Sequence, residues 1–257
     1  MKITVIGAGR TYTPELISGF ISDELFFSQL ELFLTDIDSE RLEILANLTE
    51  RMIKSSGVNI RLTVTSDLDK ALSDSDFVIT QIRVGKMPAR LIDEEIPFEL
   101  GLIAQETTGA GGFSCALRTI PVILDIAKKM EKLCPKAWLI NFTNPSGIVT
   151  QALVNHSRIK SLGLCNVPIT LIQKIADILN ADRTELSVDY FGLNHFSFIR
   201  DVFYKNTSVF DRVYLDVSDE VFDKDLIRNL KLIPSYYLNY FFYSDREIGR
   251  ASCRERV

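Results

Sequence analysis

The chain is poor in histidine, cysteine and tryptophan, with two, four and one among 257 residues. The cysteines (Cys115, Cys134, Cys165 and Cys253) are widely spaced and form no CxxC pair, so they do not read as a disulfide framework. With only His156 and His195 available, few partners exist for a nucleophile or a metal ligand. Basic excess is missing too: the formal net charge is −5, which gives no electrostatic case for a nucleic-acid or anionic-membrane partner. No apolar run approaches the roughly 18 to 20 residues that span a bilayer. The opening "MKITVIGAG" turns at once into a glycine loop and does not read as a signal peptide. Together these absences predict a cytoplasmic protein with reduced thiols.

What is present is alternation. "KITVIG" (2–7) is a β-branched run suited to a strand buried on both faces, and "TPELISGFISDELF" (13–26) follows with Pro14 in a first helical turn. "LELFLTD" (30–36) reads as a strand and "SERLEILANLTERMI" (39–53) as a helix with Leu42, Leu45, Met52 and Ile53 inward. The pattern continues through "IRLTVT", "SDLDKAL", "DFVITQI", a helix over roughly 115–133 and the strand "AWLINF". A helix from about Pro145 to Asn155, a strand ending at Cys165 and a helix from Pro168 to Leu179 complete it. This spacing predicts an α/β fold, a doubly wound parallel Rossmann-like sheet over 1–165. Beyond about 185 the texture is richer in aromatics. "LSVDYFGLNHFSFIRDVFY" reads as two strands joined by a turn, and two helical stretches follow. Residues 166–247 are expected to form part of a second α+β domain serving substrate and dimerisation. The charged, patternless run at 248–257 is expected to be a foreign or disordered tail.

Gly7 and Gly9 stand between the first strand and the first helix, where backbone N–H groups can approach a pyrophosphate at a helix N-terminus. Tyr12 occupies the place of the usual third glycine. Strand two ends in Asp36, an acid that can accept from a ribose 2′-OH and repel a 2′-phosphate, so NAD is favoured over NADP. A helix-capping neighbour beside Asp38 and Ser39 is the plainer reading of the same residue.

Cys165 has three readings from its chemistry: a buried small hydrophobe, a nucleophile, or a metal ligand. In open α/β sheets ligands bind outside the carboxyl ends of the strands. Cys165 shares that edge with Gly7, Asp36 and "NFTNP". A thiolate and the His195 imidazole, completed by substrate hydroxyls, would suit a borderline divalent metal. A satisfied structural histidine is the competing reading of His195.

Six strings occur in order over about 1–200: "GAGRTYTPEL", "QIRVGKMPAR", "QETTGAGGF", "NFTNPSG", "LCNVP" and "GLNHF". In them the chain resembles glycoside hydrolase family 4, in particular its members that cleave 6-phospho-β-glucosides. The resemblance implies hydrolysis that uses NAD⁺ and a divalent metal, commonly Mn²⁺, outside the usual two-carboxylate scheme. In that family the sugar C3 hydroxyl is oxidised, the C2 proton is removed, the aglycone is eliminated, water adds and the ketone is reduced again. By resemblance, Cys165 and His195 hold the metal, and Gly7, Gly9, Arg10 and Asp36 hold the cofactor. Tyr237 of "SYYLNYFFY" is the base, with Tyr236 in reserve, and Glu106 raises its basicity. Arg90, Asn144 and Asn166 meet the phosphorylated β-glucoside.

Asn166 separates the two substrate classes. In relatives acting on α-linked phosphoglucosides an aspartate follows the cysteine and can protonate the leaving group, which an amide cannot do. Two departures stand out. The family's usual "RVGG" is "RVGK" here, with Lys86 at the second glycine. The family is also longer than this chain, which implies C-terminal truncation. The missing portion would carry another arginine for the substrate phosphate and much of the contact in a homo-oligomer. The competing functions are a simple NAD-dependent 2-hydroxy-acid dehydrogenase and an inactive truncated fragment that still binds the dinucleotide.

Overall fold

The computed structural model describes residues 1–23, 29–103, 105–217 and 221–244. The expected tail at 248–257 and the end of the helix predicted over 13–26 lie outside the described residues. Two compact units are present: Met1–Leu91 with Phe113–Leu164, and Ile92–Gly112 with Cys165–Val257. Residues 92–112 group with the second unit, an excursion that a single boundary at 165 does not contain.

The first unit is built on a six-stranded parallel sheet in the order β3-β2-β1-β4-β5-β6. Its strands are β1 (Lys2–Ile6), β2 (Leu30–Thr35), β3 (Ile60–Val64), β4 (Phe77–Thr80), β5 (Trp138–Asn141) and β6 (Lys160–Gly163). The order reverses between β1 and β4, and in doubly wound dinucleotide folds that reversal is where ligands bind. Both faces are covered. On one, Val5, Leu32 and Leu34 pack with Ile17 and Phe20 of α1 (Thr13–Ser22) and Leu42 of α2 (Ser39–Ser56). On the other, Val78 and Leu139 pack with Ile123, Ile126, Ala127 and Met130.

The short helix α3 (Leu68–Leu72) precedes β4, and α4 (Lys86–Glu99) follows it. The patterning does not announce α4, which carries Pro97 inside it and exposes Met87, Leu91, Ile92, Ile96 and Phe98. The helix expected over 115–133 begins earlier, as α5 (Gly109–Leu133). Its 25 residues and a window of mean hydropathy 1.3 would suffice, by length and composition alone, to cross a membrane. Reading for unbroken apolar runs misses this because Arg118, Asp125 and Lys128 interrupt the helix. The residues facing β4 and β5 are instead part of the packed core.

α6 (Ser146–His156) joins β5 to β6, and β6 ends at Gly163. Cys165 is therefore not the last residue of a strand. It is the N-cap of α7 (Asn166–Leu179), a helix that starts two residues before Pro168. A proline in the first turn is tolerated because its missing N–H has no intrahelical partner there.

In the second unit β7 (Leu186–Leu193) and β8 (Phe196–Tyr204) form an antiparallel hairpin, flanked by β9 (Thr207–Ser208) and β10 (Ile233–Pro234). Leu171 and Ile175 of α7 pack with Ile199, Val202, Val213 and Ile233 in its core. The stretch expected to be helical around "PSYYLNYFFY" is broken into β10, a 3₁₀ turn at Tyr236–Leu238 and a short helix at Asn239–Phe242.

Candidate functional site

In the first unit the loop after β1 is laced to its neighbours. Gly7 and Ala8 donate their backbone N–H groups to the carbonyl of Thr35, at 2.9 and 3.1 Å. Gly7 takes a φ of +88°, and a β-carbon there would stand 2.8 Å from the carbonyl oxygen of Gln81, so both conformation and space call for glycine. The amide of Gln81 donates to the Gly7 carbonyl and to Thr13 Oγ1, and the Thr13 hydroxyl donates to the Ala8 carbonyl.

Asp36 follows β2. Its Oδ2 accepts from Gly9 N–H at 2.8 Å and its Oδ1 from Asp38 N–H at 2.9 Å. The helix cap is Asp38, which accepts from Arg41 N–H. Asp36 thus braces the glycine loop, and each of its oxygens keeps a lone pair for a ribose hydroxyl. Arg10 is half-buried just beyond Gly9.

Lys86 and its preceding glycine both take left-handed conformations, φ +55° and +83°. The Lys86 ammonium pairs with Asp38 at 2.8 Å, which ties the connection after β4 to the one after β2. That pair and the Arg41 N–H hold the Asp38 carboxyl below its ordinary range.

Arg90 is buried on α4, and Asn144 is exposed beyond β5. The loop carrying Asn144 is pinned by buried Asn141. That side chain accepts from Thr80 Oγ1 and Thr143 N–H, and donates to Thr143 O and Thr150 Oγ1.

The second unit brings together residues from four distant stretches. His195 lies in the tight turn of the β7–β8 hairpin, where Leu193 pairs with Phe196. Its φ of +64° is a left-handed conformation that histidine adopts more readily than most residues. Gly192 makes room for the turn: at φ +115°, a β-carbon would come within 2.4 Å of the Phe196 carbonyl. The imidazole is buried, and burial pushes its pKa down to about 4, so it is neutral at pH 7.

Nε2 of His195 stands 3.3 Å from Cys165 Sγ. Nδ1 stands 3.0 Å from Thr107 Oγ1. The ring lies against that of Tyr237, with centroids 3.6 Å apart and planes 3° from parallel. The Tyr237 hydroxyl accepts from the amide of Gln105 at 3.4 Å.

Of the residues singled out in sequence, Cys165, His195 and Tyr237 therefore meet. Glu106 is buried in the same loop, and its neighbour Gln105 donates a hydrogen bond to the Tyr237 hydroxyl. Asn166 is exposed at the first position of α7, and Tyr236 packs toward the unit's apolar core. Sequence reasoning passed over Gln105 and Thr107, although both lie in the string "QETTG". Their only signal was polar character at buried positions, which a sequence does not reveal.

The thiol–imidazole pair fits a metal. Two ligands roughly 90° to 110° apart, with bonds of about 2.3 Å to sulfur and about 2.1 Å to nitrogen, stand about 3.1 to 3.6 Å from each other. The observed separation is 3.3 Å. Among the described residues no group of three or more His, Cys, Asp and Glu side chains could hold a metal. If this pair held an ion, the remaining positions would fall to substrate or solvent, since a structural site closes all four with protein ligands.

A doubly wound parallel sheet with a braced glycine loop is the architecture of the dinucleotide-binding fold class, and the second unit carries a thiol–imidazole pair against a tyrosine. Sequence profiles narrow this: that of Family 4 glycosyl hydrolase matches residues 2–181, and that of its C-terminal domain matches residues 190–256. The chain belongs to family 4 of the glycosyl hydrolases. It is 45% identical over 259 aligned positions to a 6-phospho-beta-glucosidase of Escherichia coli, covering 94% of this chain and 58% of that protein. A probable 6-phospho-beta-glucosidase of Bacillus subtilis is 46% identical over the same shares. The structure superposes with a TM-score of 0.92 on the Thermotoga maritima 6-phospho-beta glucosidase, solved with manganese, NAD⁺ and glucose-6-phosphate. That match is 36% identical and covers 99% of this chain and 62% of the other. The chain thus spans about three fifths of the length of these relatives.

Proposed function

We propose that this chain is the dinucleotide- and metal-holding part of a 6-phospho-β-glucosidase that uses NAD⁺ and Mn²⁺. The observation that carries the reading is the 3.3 Å approach of Cys165 Sγ to His195 Nε2, in a family with a member solved with manganese and NAD⁺. When bound, NAD⁺ supplies a hydride acceptor and the metal supplies Lewis acidity at the sugar oxygens.

The chain's own residues do the rest. Gly7, Gly9 and Arg10 receive the pyrophosphate side of the cofactor, and Asp36 accepts from its ribose. Cys165 and His195 hold the metal, and a cytoplasmic, reducing setting keeps the sulfur available. Tyr237 takes the proton from sugar C2, with Glu106 and Gln105 in the loop behind it. Arg90 offers a fork of donors to the sugar phosphate and Asn144 an amide to its hydroxyls. Asn166 carries no acidic proton, which supports the β-linked class over the α-linked one. A homo-oligomer in the full-length form belongs to the same reading, on the strength of the resemblance.

The test is hydrolysis of paired α- and β-linked aryl 6-phosphoglucosides with NAD⁺ and Mn²⁺ present. Release of phenol from the β-linked substrate, with no net NADH, is the expected result. Preference for the α-linked substrate, or stoichiometric NADH, overturns the reading. NAD⁺ binding without turnover of either substrate assigns the chain as an inactive fragment.

A further inference from the structure

Gln105 and Thr107 lie beside the proposed metal ligands without being able to serve as ligands of the same kind. Gln105 has a fixed orientation. One end of its amide accepts the backbone N–H groups of both Thr107 and Thr108, so that end is the oxygen, and the nitrogen points at the Tyr237 hydroxyl. The same oxygen lies 2.6 Å from Thr107 Oγ1.

A hydroxyl has one proton, and an amide oxygen can only accept. The Thr107 proton is therefore spent on Gln105. Its oxygen can then only accept from the other neighbour, His195 Nδ1, 3.0 Å away. That nitrogen must carry the hydrogen. In a neutral imidazole the remaining nitrogen, Nε2, then holds a lone pair, and it is the one facing Cys165 Sγ.

We infer that Thr107, held by Gln105, is the positioning residue that locks His195 in the Nδ1–H tautomer, so that Nε2 presents a lone pair toward Cys165. With the other tautomer an N–H would point at the sulfur and occupy the direction a metal needs. A metal-bound histidine commonly donates its second N–H to an outer partner that fixes its tautomer and orientation. Here that partner is a hydroxyl, whose own proton is directed by an amide. Because Gln105 also donates to Tyr237, one side chain orients the ligand's support and the proposed base together. The tautomer assignment stands on hydrogen bonds of this chain. Its consequence for metal binding rests on the reading that Cys165 and His195 hold a divalent ion.

With only two histidines, the experiment is direct. Nitrogen-15 correlation spectra of the whole chain at pH 7.5, in chelator, report which ring nitrogen carries hydrogen, and His156→Gln assigns the signals. Wild type and Thr107→Ser are expected to show His195 protonated at Nδ1. Thr107→Val, which keeps the volume and loses the hydroxyl, is expected to populate the Nε2–H form. Mn²⁺ titration should show roughly 10- to 100-fold weaker binding in Thr107→Val, within the range found when such outer partners are removed. Thr107→Ser should recover most of the affinity.

An Nε2–H tautomer in the wild-type chain overturns the inference without reference to any variant. So does a Thr107→Val variant that keeps both the wild-type tautomer and the wild-type affinity. A wild-type chain with the Nδ1–H tautomer that takes up no Mn²⁺ supports the tautomer lock and removes the metal reading.

Discussion

The ring of His195 lies flat on the ring of Tyr237, centroids 3.6 Å apart and planes 3° from parallel. The two residues are 42 positions apart in sequence, one in a hairpin turn and the other in a 3₁₀ turn. So close and parallel an approach is a nearly full face-to-face overlap rather than the offset or edge-on arrangement that aromatic pairs usually prefer. It also fixes the Tyr237 ring against the imidazole whose Nε2 faces Cys165.

Tyr237→Phe keeps the stacked ring and loses only the hydroxyl. Turnover of the β-linked substrate is expected to vanish, while the denaturation midpoint changes by less than about 1 kcal/mol in stability terms. Tyr237→Ala should lose both, by roughly 2 to 4 kcal/mol of stability. Full turnover by the phenylalanine variant would move the base to another residue.

Cys165→Ser should weaken Mn²⁺ binding by about 100-fold or more, because a neutral hydroxyl is a poor replacement for a thiolate ligand. NAD⁺ affinity, measured by calorimetry without metal, should stay within about twofold. Gly7, Gly9 and Asp36 belong to the other compact unit. Equal loss of both affinities would mean that the cysteine is structural.

At Gly7, alanine meets two penalties at once: φ of +88° and a carbonyl oxygen 2.8 Å from its β-carbon. Gly7→Ala is expected to cost about 2 kcal/mol or more in stability and to abolish measurable NAD⁺ binding. Gly57→Ala makes a useful comparison. It also has positive φ, +75°, but nothing stands within 4 Å of its β-carbon, so it should cost only about 1 kcal/mol.

Lys86 reverses the usual order of alanine and glycine. Lys86→Ala loses the pair with Asp38 and keeps a β-carbon at φ +55°, whereas Lys86→Gly loses the pair and relieves the strain. Thermal denaturation should find the glycine variant the more stable by about 1 kcal/mol. The reverse ranking would show that this left-handed conformation carries no strain.

Metal-free His195 makes stability depend on pH. Its folded pKa of about 4 lies below the ordinary 6.5 because burial disfavours the imidazolium. Between those values the unfolded chain binds a proton that the folded chain does not, so stability is complete above about 6.5 and falls as pH drops toward 4. From pH 7.5 to 5 the loss from this group is about 2 kcal/mol. Urea titrations in chelator should show a shallower fall for His195→Gln, and parallel curves would place the pH dependence elsewhere.

The strand–helix alternation, the glycine loop and the acid after β2 were legible because they are local. A strand buried on both faces has to be a short apolar run, and a sharp strand-to-helix turn has to be glycine. Errors of extent had local causes as well. Cys165 reads as a strand end because "KSLGLC" continues apolar, yet Gly163 closes β6 and the cysteine caps the next helix.

The parallel sheet, the place of the glycine loop and the ordered strings that mark family 4 are written in short stretches of chain. Folding alone sets Gln105 and Thr107 beside His195 and Tyr237. The Gln105–Tyr237 hydrogen bond joins residues 132 positions apart, and the Thr107–His195 bond joins residues 88 apart. Neither leaves a trace in periodicity or composition. Which nitrogen of a histidine carries its hydrogen is set by the partners that folding brings to it.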